Sequence, residues 1–257
     1  MTAGGADADF WETVRVIGHR GAAGLAPENS LDGLRRARAA GVRAVEFDVR
    51  LAADGTPVLG HDRRLRLADG SRPPIGRFTR DELARLDAEH GAPAPVPTLA
   101  QALAVCRELA LAPVVEIKPA PGREAQVAAA VAGALSAPEM RALPALVSSF
   151  CRTVLAHLAR MLPARPRALN AHPLPRRWRE DVAALGLAAL HLNVRWLDGA
   201  RLAALRAAGV TVRVFTVDDP AEADALFAHG VRAVFSDRPD RLLGPHDPEP
   251  AAPVPRT

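Results

Sequence analysis

The sequence has no tyrosine, two cysteines and a single lysine, Lys118, among its 257 residues. Two cysteines, Cys106 and Cys151, are too few for a disulfide framework and have no metal-ligand spacing around them, which fits a reducing compartment. With no tyrosine and almost all cationic charge on arginine, the pI near 10.2 overstates how basic the chain is. The formal net charge is only +4, and the arginines are dispersed through helical stretches such as Leu34–Arg38 and Arg201–Arg206 rather than gathered in a run. That pattern reads as solvated helix faces and excludes a nucleic-acid partner. No stretch reaches the roughly 18 uncharged apolar residues of a spanning helix, and Met1 to Trp11 lacks a cationic segment followed by an apolar one. With no lipid-facing amphipathic stretch either, the chain is expected to be cytoplasmic without stable membrane association, as monomer or homodimer.

What is present is an ordinary globular balance of 49% apolar and 24% charged residues. β-Branched apolar runs alternate with Ala/Leu/Arg stretches of helical period along nearly the whole chain. The runs are Val14–Gly18, Ala44–Val49, Val114–Ile117, Ala145–Ser149, Arg167–Asn170, Ala188–Asn193, Val210–Val217 and Ala233–Ser236. Eight strands joined by helical crossovers predict an α/β fold of the (β/α)8, or TIM-barrel, type. Thr98 is an expected N-cap for a helix over Leu99–Leu109, and Pro220 an expected first position for one over Ala221–Ala228. Gly41, Gly209 and Gly230 stand where helices should end. Residues 51–97 break the rhythm with Gly, Pro and Asp clusters and a short helical pattern at Thr79–Leu86. This is expected to be a small insertion after the second strand, rising from the face where barrels carry their chemistry. A single domain over residues 1–244 and a Pro-rich disordered tail over 245–257 complete the predicted organisation.

In Val45-Glu46-Phe47-Asp48-Val49, the two-residue period of a strand puts both carboxylates on one face and the three apolar side chains on the other. In a barrel the apolar set packs on the helices, so Glu46 and Asp48 face inward, where burial needs a metal or a cluster of Arg and Lys. Val115-Glu116-Ile117-Lys118 repeats the arrangement. Three inward carboxylates without His or Cys favour a hard divalent cation, Mg²⁺, Ca²⁺ or Mn²⁺, over zinc. Lys118 is a compact ammonium in a chain that otherwise uses arginine, which points to selection for its shape. His19 and His61 each follow a glycine at the end of a strand-like run and could serve as general base and general acid. The remaining histidines read as packing or solvent-exposed residues. Arg20 offers a two-pronged guanidinium suited to phosphate, so a phosphate ester is the expected substrate class.

His19-Arg20-Gly21, Pro27-Glu28-Asn29-Ser30, Glu46-Phe47-Asp48-Val49 and His61-Asp62 together resemble the glycerophosphodiester phosphodiesterase family. Val96-Pro97-Thr98-Leu99, Val115-Glu116-Ile117-Lys118, Val147-Ser148-Ser149-Phe150, Phe215-Thr216-Val217-Asp218 and Ser236-Asp237-Arg238-Pro239 are similar to its later motifs, so the likeness runs from Val14 to Asp240. The resemblance implies a barrel hydrolase that splits small-molecule glycerophosphodiesters, such as glycerophosphocholine or glycerophosphoethanolamine, into sn-glycerol 3-phosphate and an alcohol. It implies that Glu46, Asp48 and Glu116 bind a divalent cation and that His19 and His61 are the acid/base pair. Arg20 and Lys118 would hold the phosphate, with Glu28 supporting the site. Phe215 and Asp218 depart from the family's Trp-Thr-Val-Asn; Phe215 would keep an aromatic surface on the glycerol side while losing an indole N–H. The rival readings are a phospholipase-D-like or other phosphodiesterase of the same barrel superfamily, and a non-catalytic binding protein, which loss of a metal ligand or histidine would mark; none is lost.

Overall fold

The computed structural model describes residues 9–67, 69–90 and 96–243, with side chains 87–90 excepted. The expected tail lies outside the described residues. Eight parallel strands close on themselves: β1 (Val16–Gly18), β2 (Ala44–Leu51), β4 (Ala112–Ile117), β5 (Leu146–Ser149), β6 (Arg167–Ala171), β7 (Ala189–Asn193), β8 (Val212–Phe215) and β9 (Ala233–Ser236). Pairing of β1 with both β9 and β2 seals the ring, which is a TIM barrel. All eight expected strands are present with ends shifted by a few residues.

The strand-like run before Gly60 and His61 forms a ninth strand, β3 (Pro57–Leu59), outside the eight counted from the sequence. It runs antiparallel to the end of β2, pairing Leu51 with Pro57 and Val49 with Leu59. Three residues are too few to show a two-residue period, so the hairpin's geometry is what gives the run its partner and direction. Beyond β3 the insertion forms a satellite core of Ala52, Val58, Ile75 and Leu83 under α2 (Arg80–His90).

Helices α1 (Leu31–Ala39), α3 (Leu99–Glu108), α4 (Glu124–Ser136), α5 (Arg152–Met161), α6 (Trp178–Leu185), α7 (Gly199–Ala207), α8 (Pro220–Ala228) and α9 (Pro239–Leu242) follow the strands around the ring. Thr98 caps α3 in a full capping box with Gln101, and Asp219 caps α8 ahead of Pro220. Gly41, Gly209 and Gly230 all have positive φ after their helices.

The strand period sorts the core into two layers. Val45, Phe47 and Val49 pack outward in the main cluster with helix residues such as Leu34, Leu103 and Val131. Ile17, Ala44, Ala112, Val114, Leu146, Ala168 and Ala189 fill the lumen above Trp11 and Val14, from the segment preceding β1. Apolar packing therefore closes one end of the barrel and leaves the carboxyl ends of the strands for polar groups. No helix of the described residues is long and apolar enough to cross a membrane.

Candidate active site

Glu46 and Asp48, the third and fifth residues of β2, and Glu116, next to the end of β4, line a cavity inside the barrel, and all three are buried. Register pairs Asp48 with Glu116, so the two carboxylates are neighbours across the sheet. Each residue offers an oxygen within 4.8 Å of the others. Burial first, then Asp48 and Glu116, pushes the Glu46 carboxyl well above its ordinary pKa. Burial and Asp48 likewise raise Glu116, against the pull of Lys118. Burial acts on Asp48 too, but the Lys118 ammonium and an Asn29 hydrogen bond outweigh it and lower its pKa. Glu46 Oε1 is buried with no hydrogen-bond partner. An oxygen-only donor set with this spacing and an orphaned carboxylate oxygen fits a hard divalent cation.

Two fixed cations flank the cluster. Lys118 Nζ pairs with Glu116 and lies 3.2 Å from Asp48 Oδ1. Arg20 donates its backbone N–H to Glu46 Oε2 at 2.9 Å, its Nη1–H to Glu28 at 2.5 Å, and brings Nε to 3.7 Å from Asp48. A tight turn makes this possible. Arg20 has φ +50° and Gly21 +88°, and a Cβ on Gly18 would stand 2.0 Å from the Gly21 carbonyl oxygen. No L side chain fits at residue 18 without moving that turn.

His19 ends β1 with Nδ1 2.7 Å from Asp237 Oδ1 and Nε2 4.0 Å from Glu46 Oε2. Burial would raise the Asp237 carboxyl, but the bond to His19 brings it below its ordinary pKa, so it accepts and His19 Nδ1–H donates. Asp237 is itself placed by Asp218, whose Oδ1 accepts the Ser236 hydroxyl at 2.7 Å and the Asp237 N–H at 2.8 Å. His61 follows β3, where Gly60 N–H donates to the Asp48 carbonyl at 3.0 Å and Arg50 donates to the His61 carbonyl at 2.6 Å. Its Nδ1 meets Asp62 at 2.9 Å, and burial lowers its pKa despite Asp48. Asn29 grips β2 twice, through the Asp48 side chain at 3.0 Å and its N–H at 2.9 Å.

A cavity of about 350 Å³ joins these groups. His19, Arg20, His61, Lys118 and Phe215 line it together with the three carboxylates, and Glu28, which lines a second cavity, is tied to it by its bond to Arg20. The structure thus brings together every site residue expected from the sequence. Phe215 edges onto Phe150 at 6.1 Å and Phe235 at 6.5 Å between ring centres, forming an aromatic wall. Asp237, Asn29 and Arg50 carry no individual role in the sequence reading, and Asp218 enters it only as a departure from the resembling motif. The repeated Asp and Asn in the quoted motifs carried that signal, but their partners lie up to 218 residues away.

Comparison with known proteins gives a consistent set of likenesses. The sequence model of the glycerophosphoryl diester phosphodiesterase family matches residues 19–241. A glycerophosphodiester phosphodiesterase of Bacillus altitudinis is 26% identical over 89% of this chain and 96% of its own length. Among solved structures, a phosphodiesterase of Oleispira antarctica in complex with its product sn-glycerol-3-phosphate superposes with a TM-score of 0.82 at 33% identity, covering 89% of this chain and 94% of that one. A glycerophosphodiester phosphodiesterase of Parabacteroides distasonis gives 0.75 at 26% identity, covering 89% and 94%.

Proposed function

The chain belongs to the glycerophosphoryl diester phosphodiesterase family and is a phosphodiesterase, and from that premise we propose that it hydrolyses soluble glycerophosphodiesters to sn-glycerol 3-phosphate and an alcohol in the cytoplasm. One barrel domain over residues 1–244 carries the activity. The observation that supports this reading most is the placing of two carboxylate-bound imidazoles beside a buried three-carboxylate cluster.

Glu46, Asp48 and Glu116 are the residues that would hold a divalent cation, Mg²⁺, Ca²⁺ or Mn²⁺, which when bound supplies Lewis-acid polarisation of a phosphoryl oxygen. Arg20 and Lys118 bind the phosphate and neutralise the charge that grows on it in the transition state. Because His19 donates Nδ1–H to Asp237, its Nε2 carries the free lone pair and takes the proton of the attacking nucleophile, either water or the glycerol's neighbouring hydroxyl, the cyclic phosphate of the second route then being opened by water. His61, braced at Nδ1 by Asp62 and at its carbonyl by Arg50, gives a proton to the departing alcohol oxygen from Nε2. Its lowered pKa makes its protonated form a stronger donor. Glu28 fixes the Arg20 fork, and Phe215 walls the glycerol side.

Phosphorus NMR of a reaction on glycerophosphocholine, glycerophosphoethanolamine and glycerophosphoinositol tests the reading. The expected product is sn-glycerol 3-phosphate, formed with added cation and abolished by chelator. Release of a phosphorylated alcohol instead, or no turnover of any diester by folded protein with any of the three cations, would contradict it.

A further inference from the structure

We propose that the alcohol this enzyme releases carries a phosphomonoester group, received by arginines of the insertion. The inference rests on the reaction above and on His61 as the group that protonates the departing oxygen. His61 lines two cavities: the site itself and a second one of about 450 Å³ beneath the insertion. A general acid must lie within hydrogen-bond reach of the oxygen it protonates, so the alcohol half of the diester extends past His61 into this second chamber.

The chamber's charges select what can fill it. Arg64, Arg66 and Arg72 line it from the segment after β3. The carboxylates lining it among the described residues are Glu28 and Asp62, and both are engaged. Glu28 holds Arg20; Asp62 holds His61 and lies 3.9 Å from Arg72. Arg66 has no carboxylate partner among the described residues. Arg64 uses one N–H on the Arg72 carbonyl at 2.7 Å, which fixes the loop, and its other N–H groups have no partner among the described residues. Leu65, Leu86 and Val96 supply apolar wall. Among the described residues three guanidinium groups line the chamber against two engaged carboxylates, so a choline or ethanolamine cation would meet an excess of like charge, whereas a phosphate would find the exposed forks of Arg64 and Arg66 with no carboxylate on them. The volume admits a ring-sized alcohol. This runs against the expectation that glycerophosphocholine and glycerophosphoethanolamine are representative substrates.

The matched probes are glycerophosphoinositol and glycerophosphoinositol 4-phosphate, which differ only by the added phosphate, with glycerophosphocholine as the cationic arm. In wild type kcat/KM should be about tenfold higher for the phosphorylated diester than for the neutral one, and lowest for the choline ester. Arg66→Gln, and Arg66→Ala, should bring the first ratio close to one while turnover of glycerophosphoinositol stays unchanged. Calorimetry in saturating sn-glycerol 3-phosphate should show inositol 4-phosphate binding to wild type, inositol not binding, and the Arg66→Gln variant binding about tenfold more weakly. Equal kcat/KM for the two inositol diesters, or a preference that survives both variants, overturns the inference and leaves the reaction standing. Failure of all three diesters to react overturns the reaction and the inference with it.

Discussion

At the scale of single residues, His19 is held by a carboxylate 218 positions away while reaching toward one on the next strand of the ring. Removing either imidazole should therefore stop a proton transfer without dismantling the cation cluster. His19→Ala and His61→Ala are each expected to lose about 10² to 10⁴ in kcat, with cation affinity by calorimetry within a few-fold of wild type. A variant that kept most of its activity would remove that histidine from the mechanism. The reacting residues were legible because their signals are local. Glu46 and Asp48 sit two apart on a strand, Lys118 is the sole lysine, and His19 and His61 each follow a glycine. Asp237 and Asp218 were not legible in the same way, since closure of the predicted barrel sets the last strand beside the first but does not say which side chain there meets His19. Asp218, where the resembling motif has Asn, now has a physical account: its carboxylate oxygen accepts the hydroxyl and backbone N–H groups that hold the Asp237 turn.

Among the elements, β2 carries most of the site. It is the longest strand, its inward face holds two of the three carboxylates, and its end pairs with β3 to return the chain to His61. Helix α3 packs on that hairpin's base, where Leu59 N–H donates to the Pro97 carbonyl and Val58 bridges to Thr98. Thr98 is thus both a cap and a contact of the strand before His61. Thr98→Ala should cost about 1 kcal/mol in denaturant unfolding through loss of the bond to Gln101 N–H. A change within error would mean that water replaces the cap at no cost. Strands and caps could be read from period and turn chemistry because each is a property of a few consecutive residues. β3 showed only as a strand-like run before His61, because the pairing of a three-residue strand depends on its partner. The insertion's chamber was equally hidden, since arginines at 64, 66 and 72 read along the chain as ordinary surface.

Across the whole molecule, barrel closure gathers polar residues from several strands under one mouth. His191 on β7 and Arg213 on β8 pair in register inside the lumen, both buried, and the fold keeps that imidazole neutral. Burial first, and then Arg213, holds the His191 pKa well below its ordinary value. An unfolded histidine takes up a proton below about pH 6.5 and the folded one does not, so this residue's share of stability is lost as pH falls through that value. The slope should approach about 1.4 kcal/mol per pH unit. Unfolding by denaturant at pH 7.5 and 5.5 should show a smaller acid loss in His191→Gln than in wild type; parallel losses would place the acid sensitivity elsewhere. The ring also converges three carboxylates on one point, and the account depends on their holding a cation. The most direct measurement is release of sn-glycerol 3-phosphate from a glycerophosphodiester by chelator-stripped protein titrated with Mg²⁺, Ca²⁺ or Mn²⁺, for wild type and Glu46→Gln. The account predicts no product without cation, saturable recovery in wild type, and recovery in Glu46→Gln only at about tenfold or more higher cation concentration. Full activity in the stripped enzyme, or identical titrations for the two proteins, would contradict it.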